Sequence, residues 1–157
     1  MSAPVLSVKE TRWRLGEIMV QKEWITWHQL EEALKLQVVT RRLIGEILVE
    51  RKVVSRRNVY RALAMQHHIP FVDLERSLIE PKALEAVPKW LILTHRIMPL
   101  EVGNGLLYVA TANPSNFWLK ALLQRATDID NVCFVLACPE DLSDAIRRYY
   151  GMTIRAA

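Results

Sequence analysis

One 24-residue pattern is stated twice along this chain, and that repetition constrains the fold more than any other feature. Residues 14–37 read RLGEIMVQKEWITWHQLEEALKLQ, and residues 43–66 read LIGEILVERKVVSRRNVYRALAMQ. Shifted by 29 positions, Gly16 falls on Gly45, Glu17 on Glu46, Ile18 on Ile47, Ala33 on Ala62 and Gln37 on Gln66. Other positions exchange like for like, among them Met19 with Leu48, Ile25 with Val54 and Thr26 with Ser55. Two copies are too few for a solenoid, which needs about three or more stacked units. They suit a two-fold-symmetric helical unit, able to hold a ligand that is itself two-fold symmetric.

Each copy reads as a short helix, a turn and a longer helix. Leu15, Ile18 and Met19 recur at helical spacing, and Thr26 with Gln29 three residues on has the form of a capping box. The stripe that follows is Leu30, Ala33, Leu34 and Gln37, matched in the second copy by Val59, Ala62, Leu63 and Gln66 behind a Ser55 cap. Spacings of three and four keep these side chains on one face. An apolar stripe that ends in glutamine twice, at the same place, points to hydrogen bonding. Gly16 and Gly45 admit two readings. Either two helices cross closely there, or the exposed amides at a helix start are kept open for a phosphate.

The whole pattern resembles the MshEN domain, the N-terminal domain of type II secretion and type IV pilus assembly ATPases. It runs R-L-G, two residues, two aliphatics, then L, three residues, L, two residues, Q, and occurs twice with a five-residue spacer, here Val38 to Arg42. The likeness continues through Ile69-Pro70-Phe71-Val72-Asp73-Leu74 and Thr111-Ala112-Asn113-Pro114 to Arg148-Tyr149-Tyr150-Gly151, nearly the whole chain. It implies a cyclic di-GMP binder in which each motif grips one half of the ligand. Arg14 would address a guanine edge, where a guanidinium pairs with O6 and N7 together. Leu15, Leu30 and Leu34 would pack against base and ribose, Gly16 would admit the backbone, and Gln37 would hydrogen-bond. Ile44, Gly45, Val59, Leu63 and Gln66 would do the same in the second half. Asn113 follows a strand at a turn that in the family lies near the nucleotide; an Asx-type turn that starts a helix is the competing reading.

Three positions depart from the family pattern. Leu43 stands where the second arginine is expected, with Arg41 and Arg42 just before it, so that half is predicted to lack a charged guanine contact unless Arg42, a candidate contact, reaches back from its different helical face. Glu23 and Lys52 replace a mid-motif glycine, which a helix C-cap tolerates at a cost of roughly 1 kcal/mol. Val59 for leucine shortens one apolar arm.

These readings predict an α+β protein: a four-helix lobe at 12–68 built from a tandem helix-turn-helix repeat, then a small α+β sandwich at 69–151. Residues 1–11 are expected to be a mobile lead-in. In the second part, Pro81 to Ala86 reads as a helix, and Trp90 to Leu93 as a buried segment. Gly103-Asn104-Gly105 signals a hairpin between strands 96–102 and 106–112. A helix near 116–126, a strand near 131–137 and a helix opening at Pro139 complete it, the last with Leu142, Ala145, Ile146 and Tyr149 on one face.

Composition bounds the function. A net charge of +4 suits an anionic partner, but aromatics do not interleave the basic residues of the first half, so nucleic acid is the weakest reading. No apolar run approaches the roughly 20 residues that span a bilayer, so no membrane insertion is expected. Cys133 and Cys138 lie an odd spacing apart and are not expected to pair, which fits a reducing cytoplasm. Neither His67-His68 nor the cysteines have metal-ligand context. No G-x-x-x-x-G-K-[ST] loop and no catalytic triad occur, so neither enzyme activity nor a cofactor is expected. The leading expectation is a regulatory module that binds cyclic di-GMP and relays it to a fused or partner secretion, pilus or exopolysaccharide machine. A nucleotide-free protein-docking adaptor is the alternative.

Overall fold

The computed structural model describes residues 14–151; the predicted lead-in lies outside them. The described chain divides into two compact units, the first ending at Ile69 and the second beginning at Pro70. Together they contain eight helices and one three-stranded sheet, the mixed α+β class that the sequence predicts.

In the first unit α1 (Leu15–Gln21) and α2 (Trp27–Thr40) form the first copy, and α3 (Ile44–Glu50) and α4 (Arg56–His67) form the second. Local chemistry repeats with them. Thr26 Oγ1 accepts from Gln29 N–H, and the Gln29 side chain accepts from Thr26 N–H, which completes the capping box. Ser55 Oγ accepts from Asn58 N–H in the same way. Both short helices end in a Schellman motif. Glu23 N–H donates to Val20 O and Trp24 N–H to Met19 O; Lys52 N–H donates to Val49 O and Val53 N–H to Leu48 O. Glu23 and Lys52 therefore sit at φ 61° and 60°, in the left-handed region that favours glycine.

The buried core of this unit is a list of repeat partners. It consists of Ile18 with Ile47, Met19 with Leu48, Ile25 with Val54, Leu30 with Val59 and Ala33 with Ala62. Packing crosses between copies. The short helix α1 lies mainly on α4, and α3 lies on α2, while α1 and α3 also meet. Exchanging the copies carries one cross-pair onto the other, which is the signature of a two-fold arrangement. Neither copy closes a core of its own.

The second unit begins with a single parallel bridge. Val72 N–H donates to Leu136 O and Leu136 N–H to Pro70 O, so Phe71 to Leu74 is an extended connector and not a full strand. Helices α5 (Pro81–Ala86) and α6 (Lys89–His95) follow, then β1 (Met98–Gly103), β2 (Leu106–Thr111), α7 (Phe117–Thr127), β3 (Asn131–Leu136) and α8 (Pro139–Tyr150). The sheet order is β1-β2-β3, antiparallel then parallel, with α7 as the crossover. Asn104 and Gly105 both have positive φ, as a two-residue primed turn requires. The core joins Leu107, Val109 and Val132 of the sheet to Leu91, Leu123, Leu142 and Ile146 of the helices.

Three details go beyond or against the expectations. Trp90 is 56% exposed, because α6 buries only Leu91 and Ile92 and turns its neighbour outward. Tyr149 is also exposed, since the buried stripe of α8 ends at Ile146. Arg96 belongs to the left-handed C-cap of α6, so β1 starts two residues later than the sequence suggests.

Candidate functional site

Two cavities in the helical unit are related by the repeat. One, of about 190 Å³, is lined by Arg14, Leu15, Gly16, Leu30, Leu34 and Gln37 of the first copy, with Ile44 of the second. The other, of about 240 Å³, is lined by Leu43, Ile44, Gly45, Val59 and Leu63 of the second copy, with Leu15 and Gln37 of the first. Leu15, Gln37 and Ile44 line both, so the cavities meet at the seam between the copies. Arg14, Leu15, Gly16, Leu30 and Leu34 on the first wall are matched, 29 residues on, by Leu43, Ile44, Gly45, Val59 and Leu63 on the second.

The glycines show their packing role directly. A β-carbon at Gly16 would overlap the Leu30 Cδ1 methyl, and one at Gly45 would stand 2.8 Å from Val59 Cγ1. Leu30 and Val59 are 4% and 5% exposed, so they form the floors of the cavities while belonging to the core. Leu34 is exposed on the wall of its cavity, whereas Leu63 is half-buried.

Polar groups at the seam are partly committed. Gln37 Nε2 donates to the Arg42 carbonyl at 3.1 Å, which ties the spacer to the end of α2 and leaves the amide oxygen for other partners. Arg14 is the N-cap of α1, its backbone N–H donating to Glu17 Oε2 at 3.1 Å. Leu43 is the N-cap of α3 and makes no side-chain cap bond. Arg42 is ion-paired through Nη1 with Glu50 Oε2 and lines neither cavity.

Three predicted residues therefore fall outside the cavity walls. Arg42 is one. Gln66 is half-buried near the end of α4 and does not line the second cavity, so the two glutamines are not equivalent. Asn113 belongs to the second unit, where it lines a different cavity of about 220 Å³ with His95, Arg96 and Thr111. Its own backbone N–H donates to Thr111 Oγ1, and Asn116, not Asn113, caps α7.

Sequence reading missed Glu17 and Trp27 on the first cavity and Glu46, Val49, Arg56 and Tyr60 on the second. Trp27 and Arg56 hold the same register in the two copies, as do Glu17 and Glu46, so the repeat itself carried the signal. No polarity rule marks these four, because each lies at the first turn of its helix, where polar and aromatic residues are equally at home.

A pair of interlocked helical repeats with two meeting cavities, followed in the chain by a small α+β unit, defines a tandem-repeat module. The family model of the MshEN domain matches residues 67–156, and the chain belongs to that family. It is 30% identical over 138 residues to the type IV pilus assembly ATPase PilB of Myxococcus xanthus. To PilB of Thermus thermophilus it is 34% identical over 139 residues. These matches take in 88% and 87% of this chain but only 24% and 15% of the relatives. Among solved structures, that of MshE with cdg is 27% identical, with a TM-score of 0.69, covering 88% of this chain and 99% of that one. The N-terminal domain of XpsE, 17% identical with a TM-score of 0.55 over 86% of this chain and 92% of its own, shares the fold. No helix among the described residues is long and apolar enough to cross a membrane.

Proposed function

We propose that this chain is a non-catalytic regulatory module that binds cyclic di-GMP in its helical unit, one guanylate half to each repeat. The observation that carries this reading is the pair of cavities that meet at Leu15, Gln37 and Ile44. A two-fold ligand matches a two-fold site, and a net charge of +4 favours a diphosphate. The likeness to MshE with cdg, across nearly all of that chain, supports the same ligand. Residues 12–68 are the binding lobe in this reading and 69–151 its companion. The signal passes to a fused or associated machine in the cytoplasm, of the kind to which the PilB relatives belong. Arg14 reads one guanine edge, Leu15, Leu30 and Leu34 hold that base and its ribose, and Gln37 uses its remaining valences at the seam.

Isothermal titration of the chain with cyclic di-GMP tests this, with GTP and a duplex oligonucleotide as controls. Saturable binding of the cyclic dinucleotide is expected, and Arg14→Ala should weaken it by roughly 1–3 kcal/mol, the value of a bidentate guanine contact. Binding that ignores Arg14→Ala removes that residue from the site. Absence of binding leaves the docking-adaptor reading, which one observation favours: position 43 offers an exposed leucine where a guanine donor is expected.

A further inference from the structure

We propose that the second half of the site does not distinguish guanine from adenine, so that the ligand class is cyclic purine dinucleotides with at least one guanine. This rests on the cyclic dinucleotide reading above. The two N-cap positions are backbone twins. Arg14 has φ −72° and ψ 152°, Leu43 has φ −65° and ψ 138°, and each lines the cavity of its own repeat. A guanidinium at such a position separates the purines by their edges. Guanine presents acceptors at both O6 and N7, while adenine replaces O6 with an amino donor. Arg14 can therefore donate twice to guanine and only once to adenine.

Leu43 has neither donor nor acceptor in its side chain and is 68% exposed, so it treats both edges alike. Arg42 does not fill the gap. Its guanidinium is paired with Glu50, its carbonyl is held by Gln37, and it is absent from the cavity wall. The apolar groups around Leu43 are Ile44, Val49, Val59 and Leu63, and the polar side chains on the same wall are Gln37, Glu46, Arg56 and Tyr60. The apolar groups hold a purine by its faces, which guanine and adenine share. Guanine is thus demanded on one side of the seam, and a purine of either kind is accepted on the other.

The test is calorimetric titration of the full chain with cyclic di-GMP, the mixed cyclic GMP–AMP and cyclic di-AMP. The mixed ligand should bind within about threefold of cyclic di-GMP, the small deficit reflecting one seating orientation in place of two. Cyclic di-AMP should bind roughly 5- to 150-fold more weakly, the loss of one bidentate guanine contact. Leu43→Arg should then drop the mixed ligand behind cyclic di-GMP by a similar factor. A mixed ligand as weak as cyclic di-AMP, or three ligands of equal affinity, overturns the proposal. Arg56→Ala and Glu46→Gln probe the charged groups facing this cavity, and both should leave the ratio of mixed to symmetric ligand unchanged. If either shifts that ratio tenfold, it is a second guanine reader and the proposal falls. Binding of cyclic di-GMP without the mixed ligand removes this inference alone, whereas binding of none of the three removes the ligand reading with it.

Discussion

Replacing Gly45 by alanine separates two roles that a glycine near a helix start can have. Alanine in helix carries an intrinsic advantage of up to about 1 kcal/mol over glycine, and φ at Gly45 is not in the left-handed region, so nothing in the backbone opposes the change. The new methyl, however, would stand 2.8 Å from Val59 Cγ1 and 3.7 Å from Leu15 Cδ2. Val59 is β-branched and buried, so it cannot rotate aside cheaply. Overpacking of this kind costs roughly 1–3 kcal/mol. The net expectation is a loss of about 1–2 kcal/mol, read as a fall of several degrees in Tm by differential scanning calorimetry. The same substitution on a Val59→Ala background should cost nothing or stabilise, because the obstructing methyl is gone. A Gly45→Ala protein that melts at or above the parent refutes the packing argument. If that protein also fails to bind cyclic di-GMP, backbone approach to the ligand governs the position.

Glu23 and Lys52 hold left-handed C-cap positions with side chains, so Glu23→Gly and Lys52→Gly should each stabilise by about 0.5–1 kcal/mol; lower chemical-denaturation midpoints would contradict this. The Cys138 thiol is pushed up to about 12, first by burial and then by its hydrogen bond to Glu140, so it should resist iodoacetamide at pH 8 in the folded chain and react once unfolded. Because that folded value lies above the ordinary thiol value of 9.0, Cys138 stabilises the fold fully below pH 9 and loses that contribution as pH rises towards 12. A pH titration of Tm in Cys138→Ser should show a shallower alkaline decline than the parent.

The helical repeat was legible in the sequence because its determinants are local. A capping hydroxyl accepts from the backbone N–H three residues on, within one turn, and Thr26 and Ser55 both do so. Asn104-Gly105 specifies its turn because both residues take the positive φ that a type I′ turn needs to join two twisted strands tightly. The 29-residue register also paired the core residues correctly, since equivalent sequence in equivalent surroundings is buried alike. The packing partners lay beyond its reach. Periodicity marks which face of a helix is apolar but carries no address for what covers it, so the crossing of α1 onto α4 and of α3 onto α2 belongs to tertiary structure. So does the meeting of the two cavities at Gln37, whose amide was open to any partner until the fold set the Arg42 carbonyl 3.1 Å away. Burial of Trp90 was misread for the same reason: hydrophobicity is a property of the residue, and exposure a property of its neighbours.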